Sequence, residues 1–265
     1  MITKIFPHPC LALTVDYYWV EKTGKGRVKI LPDGTTSIIF NVGSPIRISD
    51  INGNSKKLSD NLLIGTHKRY YELKENEGTH LIGIKFKQGG AYNFFKLPMM
   101  QFSNKIVNLT DVLNGETEKL RAKLVAAENI EDIKKVLDYY FFLKVDRLNR
   151  VSGIVDFAID KVKVSEASTS IKELCKEANV SNKHLISLFN EKVGISPKIL
   201  HRINKFNKVI DLLQKQPIVN WPQIAYECQY YDQAHLINDF KSFSGISPQK
   251  YYKNENASGL RVEVA

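Results

Sequence analysis

The sequence writes Gly-Ile-Ser-Pro twice, at Gly194–Pro197 and Gly245–Pro248, each time five residues after a phenylalanine, Phe189 and Phe240. A phrase repeated at fixed spacing marks one supersecondary unit used twice. Gly194 and Gly245 follow helical patterns and suit the positive φ that closes a helix. Ser196 and Ser247 suit the cap of the next helix, with Pro197 and Pro248 in its first turn. The motif predicts a corner between two helices, made twice, and an architectural role for its residues.

The segments before each corner have the pattern of a helix-turn-helix. In "IKELCKEANVSNKHLISLFN" from Ile171, the small Cys175 lets two helices cross closely. Asn179 tolerates a left-handed turn, and Ser181 can cap the second helix. Leu174, Ala178, Val180, Leu185 and Leu188 seat the pair on its neighbours and leave one helix face outward. The second copy places Ile224, Ala225, Cys228 and Tyr230 at the corresponding positions. Its turn is one residue longer before Leu236, after which the copies align at a shift of 51. Between them Ile199, Ile203, Phe206, Ile210 and Leu213 recur at three and four, predicting one helix from Pro197 to Lys215. Such a rod, roughly 27 Å long, can set two heads towards successive major grooves about 34 Å apart. Tandem, unequal heads call for an asymmetric DNA site.

Charge separates the two copies. Residues 161–215 carry eleven Lys/Arg against five Asp/Glu, whereas residues 216–255 carry three against four. The first copy attracts phosphate and the second does not.

These residues resemble the AraC/XylS family of bacterial transcription regulators. The resemblance covers about Val151 to Tyr252 and rests on "LISLFNEKVGISP", "RINKFNKVIDLL" and "IAYECQYYDQAHLINDFKSFSGISPQKY". It implies a bipartite helical DNA-binding domain over residues 151–253, acting at promoters without enzymatic activity. It places base-reading positions on Lys183, Ile186, Ser187 and Asn190, and on Gln233, Ala234, Ile237 and Asn238. Lys183 can donate to guanine or phosphate, Gln233 and Asn238 can pair with adenine, and Ala234 and the isoleucines can meet thymine methyls. Two departures stand out: family members often carry arginine where this chain has Ser187 and Asn238, and glycine where it has Gln229. His184 and His235, each beside a leucine, read as packing or phosphate-contacting residues.

Residues 1–150 read differently. "GRVKILPDGTTSIIFNVG", "SPIRISDI", "NLLIGTH" and "THLIGIKFKQGG" are short strands between turn residues, predicting an antiparallel barrel or sandwich. "ETEKLRAKLVAAEN" and "IEDIKKVLDYYFFLKV" follow as amphipathic helices. Their stripe of Val136, Leu137, Tyr140 and Phe141 is expected to pack on the sheet or meet a second subunit. Segments over residues 5–113 also resemble the cupin-like sensor domain of an AraC-type subgroup, implying a small-molecule effector of unknown identity. Tyr17, Tyr18, Trp19 and Tyr92 are the candidates for lining a pocket. His8, His67 and His80 are too scattered for the metal cluster of cupins, so neither metal nor cofactor is expected. Residues 254–265 are expected to fray.

The whole is thus an α+β chain of two domains: a β-rich sensor or dimerisation domain and an all-α domain of two helix-turn-helix units. Double-stranded promoter DNA is the expected partner. The resemblance adds RNA polymerase, transcriptional activation and a homodimer through residues 1–150. Cys10, Cys175 and Cys228 cannot all pair, no apolar run approaches membrane-spanning length, and the first residues lack a secretory pattern, so the cytoplasm is the expected compartment. A barrel enzyme or DNA-repair protein with a fused helix-turn-helix tail is the alternative. No nucleophile elbow, phosphate-binding glycine loop or metal triad supports an enzyme.

Overall fold

The computed structural model describes residues 2–23, 26–49, 55–144, 153–164, 171–215, 219–255 and 260–264. The amino-terminal part comprises β1 (Ile2–Ile5), β2 (Val15–Thr23), β3 (Gly26–Leu31), β4 (Ser37–Asn41), β5 (Arg47–Ser49), β6 (Ser55–Lys57), β7 (Asn61–Ile64), β8 (Tyr71–Glu75) and β9 (Thr79–Phe86). Then come α1 (Gly90–Phe95), β10 (Ile106–Asn108), α2 (Thr110–Leu113), α3 (Glu116–Val125) and α4 (Ile130–Lys144). The boundary expected near residue 150 lies outside the described residues.

Two sheets form an open sandwich, ordered β1-β2-β9-β4-β7-β10 and, with a last strand introduced below, β11-β3-β8-β5-β6. They do not close into a barrel. The central strands β4, β7 and β9 of the first sheet are buried on both faces, which is why "SIIF" and "LIGIKF" run apolar without alternation. Ile39 and Leu81 face the second sheet. Ile38, Phe40, Ile82, Ile84 and Phe86 face the helices, where Phe94, Leu137 and Phe141 meet them. The α4 stripe packs on the sheet side: Leu137 and Phe141 are buried, with Val136 and Tyr140 half-buried against the same core. Tyr139 and Leu143, outside the stripe, stay exposed.

The helical part comprises α5 (Gly153–Val164), α6 (Ile171–Glu177), α7 (Asn182–Lys192), α8 (Pro197–Lys215), α9 (Trp221–Glu227), α10 (Gln233–Ser244) and α11 (Pro248–Glu255). One core joins them, with Leu185 and Phe189 of α7, Phe206 of α8 and Phe240 of α10 almost wholly buried. Cys175 and Cys228 lie within it, whereas Cys10 is exposed.

The carboxyl terminus corrects an expectation. Instead of fraying from residue 254, α11 runs to Glu255, and β11 (Leu260–Val264) pairs parallel with β3, Leu260 opposite Arg27 and Val264 opposite Leu31. The physical reason is an open edge: β3 offers unpaired backbone groups that an apolar-polar alternating segment can satisfy.

Candidate nucleic-acid interface

Both helix-turn-helix units close by the same backbone device. The Val180 N–H donates to the Cys175 carbonyl at 3.0 Å, and the Tyr230 N–H to that of Ala225 at 2.8 Å. The residue before each takes a left-handed conformation, Asn179 with φ +51° and Gln229 with φ +57°. Asparagine accepts that region readily, while Gln229 holds it where glycine would be unstrained.

The caps come next. Ser181 Oγ accepts the His184 N–H at 3.1 Å, and Asp232 Oδ1 accepts the His235 N–H at 2.7 Å. Asp232 was not singled out from sequence, although it stands 51 residues after Ser181, in the register the two copies share beyond the longer turn. At the corners, Gly194 (φ +89°) and Gly245 (φ +77°) take the left-handed turn. Ser247 Oγ accepts the Lys250 N–H at 3.2 Å, Ser196 Oγ accepts that of Ile199 at the long distance of 3.5 Å, and Pro197 and Pro248 begin α8 and α11.

The outward faces follow from this seating. Lys183 and Ser187 on α7 are exposed, and Ile186 and Asn190 are half-buried. On α10, Gln233, Ala234 and Asn238 are exposed and Ile237 is half-buried. Each set therefore occupies the face opposite the buried pair Leu185 and Phe189 or Leu236 and Phe240. His184 and His235 are exposed rather than packed. The His235 ring stands edge-on to Tyr230 at 5.3 Å.

An ion pair fixes the second head to the rod. Arg202 of α8 grips Asp239 of α10, with Nη2 at 2.7 Å from Oδ1 and Nε at 3.2 Å from both oxygens. Asp239 is buried, and its carboxylate raises the pKa of Arg202. Next to it Lys205 donates to the Gln229 carbonyl and lies 4.1 Å from the Tyr230 ring centroid. Sequence reading missed both contacts, since nothing local pairs residues 37 or 24 positions apart.

Both Gly-Ile-Ser-Pro corners also rest on the sandwich. Thr66 Oγ1 donates to the Val193 carbonyl at 2.9 Å, and a Cβ on Gly194 would come within 3.0 Å of the Met99 carbonyl. The Tyr70 N–H donates to the Phe243 carbonyl at 2.9 Å, and a Cβ on Gly245 would strike the Tyr70 ring at 2.4 Å. Lys29 Nζ bridges these elements, 3.3 Å from the Ser244 carbonyl and 4.0 Å from the Tyr70 centroid. Tyr92, a candidate for a pocket wall, instead donates to Glu191 of α7 at 2.9 Å. The corners are architectural within their own domain, and they also hold it against the other.

A cavity of about 630 Å³ lies between the sheets, lined by Tyr17, Trp19, Ile39, Tyr71, Leu81 and Lys85 among others, and it reaches Asp211 and Gln214 of α8. Trp19 lies across its strand partner Gly83, where a Cβ would fall 1.9 Å from the indole. Of the aromatic candidates, Tyr17 and Trp19 reach this cavity, whereas Tyr18 is buried on the other face beside Phe141. Lys85 sits at the wall in an ion pair with Asp33. Among the described residues no three His, Cys, Asp or Glu side chains are grouped to hold a metal ion. Among those residues, too, no helix is long and apolar enough to cross a membrane.

Residues 174–254 match a helix-turn-helix domain family. These residues form an AraC-type helix-turn-helix domain. The chain that carries this AraC-type domain is a DNA-binding transcription regulator. Residues 3–108 match a domain family of unknown function, DUF6597. No curated protein matches the sequence. The fold is similar to that of ToxT from Vibrio cholerae. One structure, from strain O395, has a TM-score of 0.51 at 12% identity, over 91% of this chain and 99% of that one. A second ToxT structure, at 1.65 Å resolution, gives 0.50 at 14% identity, over 89% and 97%. A third, bound to (E)-4-(8-methylnaphthalen-1-yl)but-3-enoic acid, gives 0.50 at 14% identity, over 88% and 97%.

Proposed function

We propose that the protein is a cytoplasmic, non-enzymatic activator that sets α7 and α10 into adjacent major grooves of promoter DNA. The supporting observation is the matched pair of capped helices, each with a polar outward face, joined by the 19-residue α8, about 28 Å long. In this reading Lys183, Ile186, Ser187 and Asn190 address one groove, and Gln233, Ala234, Ile237 and Asn238 the next. The domains divide near residue 150, and the sandwich serves as the sensor.

The intersheet cavity takes a small, largely apolar effector. Its size suits a drug-sized molecule, and ToxT carries an arylbutenoic acid in one of its structures. Because Asp211 and Gln214 line the same space, an occupant would touch the rod of the DNA-binding domain directly. The exposed Tyr139 and Leu143 of α4 are the surface through which residues 1–150 would form a homodimer, with RNA polymerase as the further partner at the promoter.

Selection of bound duplexes from a random pool by the full-length protein tests the reading. The expected motif is asymmetric, with two blocks about one helical turn apart. Lys183→Ala and Gln233→Ala should each weaken binding to that motif roughly five- to a hundredfold with helical circular dichroism unchanged. Lys183→Ala should also lower the salt dependence by about one counterion if it meets phosphate. Full-strength binding by both variants would overturn the groove assignment.

A further inference from the structure

The second helix-turn-helix has a problem of grip. Residues 216–255 hold three Lys/Arg against four Asp/Glu, yet affinity for duplex DNA comes largely from phosphate contacts. A head without net positive charge needs other donors. Two tyrosines at its turn stand out in solvent: Tyr226 on α9 is 84% exposed, and Tyr231, immediately before the cap of α10, is 93% exposed. Their neighbour Tyr230 shows the ordinary fate of an aromatic here, buried with its ring against Lys205. Packing therefore does not account for the other two.

Tyr226 and Tyr231 rim a shallow hollow beside the amino-terminal end of α10, together with Gln229, His235 and Lys208. The carboxylate on this rim, Glu227, accepts a hydrogen bond from Gln223 at 2.8 Å along α9. Phenolic hydroxyls donate to phosphate oxygens and position a protein on the duplex without reading its sequence. Such a contact is uncharged, so it displaces no condensed counterion.

We infer that Tyr226 and Tyr231 are the phosphate-holding donors of the second helix-turn-helix, gripping the strand that borders the groove read by α10. The first head holds DNA by charge and the second by neutral hydroxyls. This assignment rests on α10 being a groove-reading helix.

The test uses the full-length protein, its selected duplex and a scrambled duplex, titrated by fluorescence anisotropy over a salt series. The Tyr226→Phe/Tyr231→Phe double variant keeps both rings and removes both hydroxyls. It should lose roughly tenfold in affinity for both duplexes alike, with the slope of log K against log salt unchanged. Affinity within twofold of the parent would overturn the assignment, including the case where promoter activation falls while DNA binding stands, which would place the tyrosines against a protein. A loss confined to the selected duplex would overturn it too, since it would make them base readers. Gln233→Ala, measured alongside, separates the levels. If it weakens the selected site while the tyrosine variant does not, this assignment alone falls; if neither has an effect, the reading of α10 falls with it.

Discussion

Replacing Arg202 with alanine should destabilise the helical domain by about 3 kcal/mol and abolish binding to the selected DNA site. The guanidinium is the bidentate partner of Asp239, whose side chain is only 8% exposed. Removing the cation takes away the only bidentate partner of a buried carboxylate. It leaves the more distant Lys205 and His235, whose Nε2 is 4.0 Å from Oδ2, so the uncompensated desolvation dominates the cost. One-third exposure of Arg202 moderates the value, because water can partly replace it. Thermal unfolding followed by far-ultraviolet circular dichroism should show a fall of roughly 12–24 °C for a domain of this size. Asp239→Ala should cost less, since the arginine it releases can reach solvent. The two changes together should cost less than their sum, by roughly 1 kcal/mol or more. Melting within a degree of the parent for Arg202→Ala would mean that the pair does not hold α10 on the rod.

Lys85→Met should cost a similar amount or more, about 3–5 kcal/mol, and should loosen the contact between sandwich and rod. Burial alone would depress the Lys85 pKa, but Asp33 beside it, with Tyr17, holds it above the usual lysine value. The two side chains are 8% and 10% exposed. Asp33 also accepts from the Thr35 N–H at 2.9 Å and hydroxyl at 2.8 Å. Without the ammonium, that carboxylate is stranded in the loop that meets α8. There Gln88 Nε2 donates both to the Asp33 carbonyl and to Asn204 Oδ1, each at 3.0 Å. The expected result is a lower melting temperature, with faster amide exchange at Asp33–Thr36 and along α8 near Asn204. Pairing Lys85→Met with Asp33→Leu should recover part of the loss. Unchanged exchange at Asn204 in the single variant would break the proposed link between cavity wall and rod.

What was legible in the sequence was what is written locally. The corners, the caps at Ser181 and Ser247, and the run of α8 depend on residues within four positions of each other, where periodicity and capping chemistry leave their mark. The strands with turn residues at their ends were legible for the same reason. The contacts that join distant segments were not. Arg202 and Asp239 look like ordinary surface residues of two helices until the corner turns them together. Trp19 was legible as a pocket candidate, yet only its pairing with Gly83 shows the indole lying on bare backbone. Tyr18 was grouped with Tyr17, although adjacent strand residues must face opposite ways. The docking of both corners on the sandwich has no local signature, because the glycines already had a sufficient local reason to be there. β11 was missed although "LRVEV" alternates: five residues at a terminus are too few to distinguish a strand from a tail without sight of the edge it joins.

The return of β11 to β3 ties the carboxyl end of the DNA-binding domain to the sandwich, beside the corner contacts of Val193 with Thr66 and of Phe243 with Tyr70. A domain held at several points feels a shift of its support more directly than one hung from a single linker. Cutting the chain near residue 150 would therefore yield a piece that carries β11 without its partner strand, an unpaired strand on a fragment meant to be free.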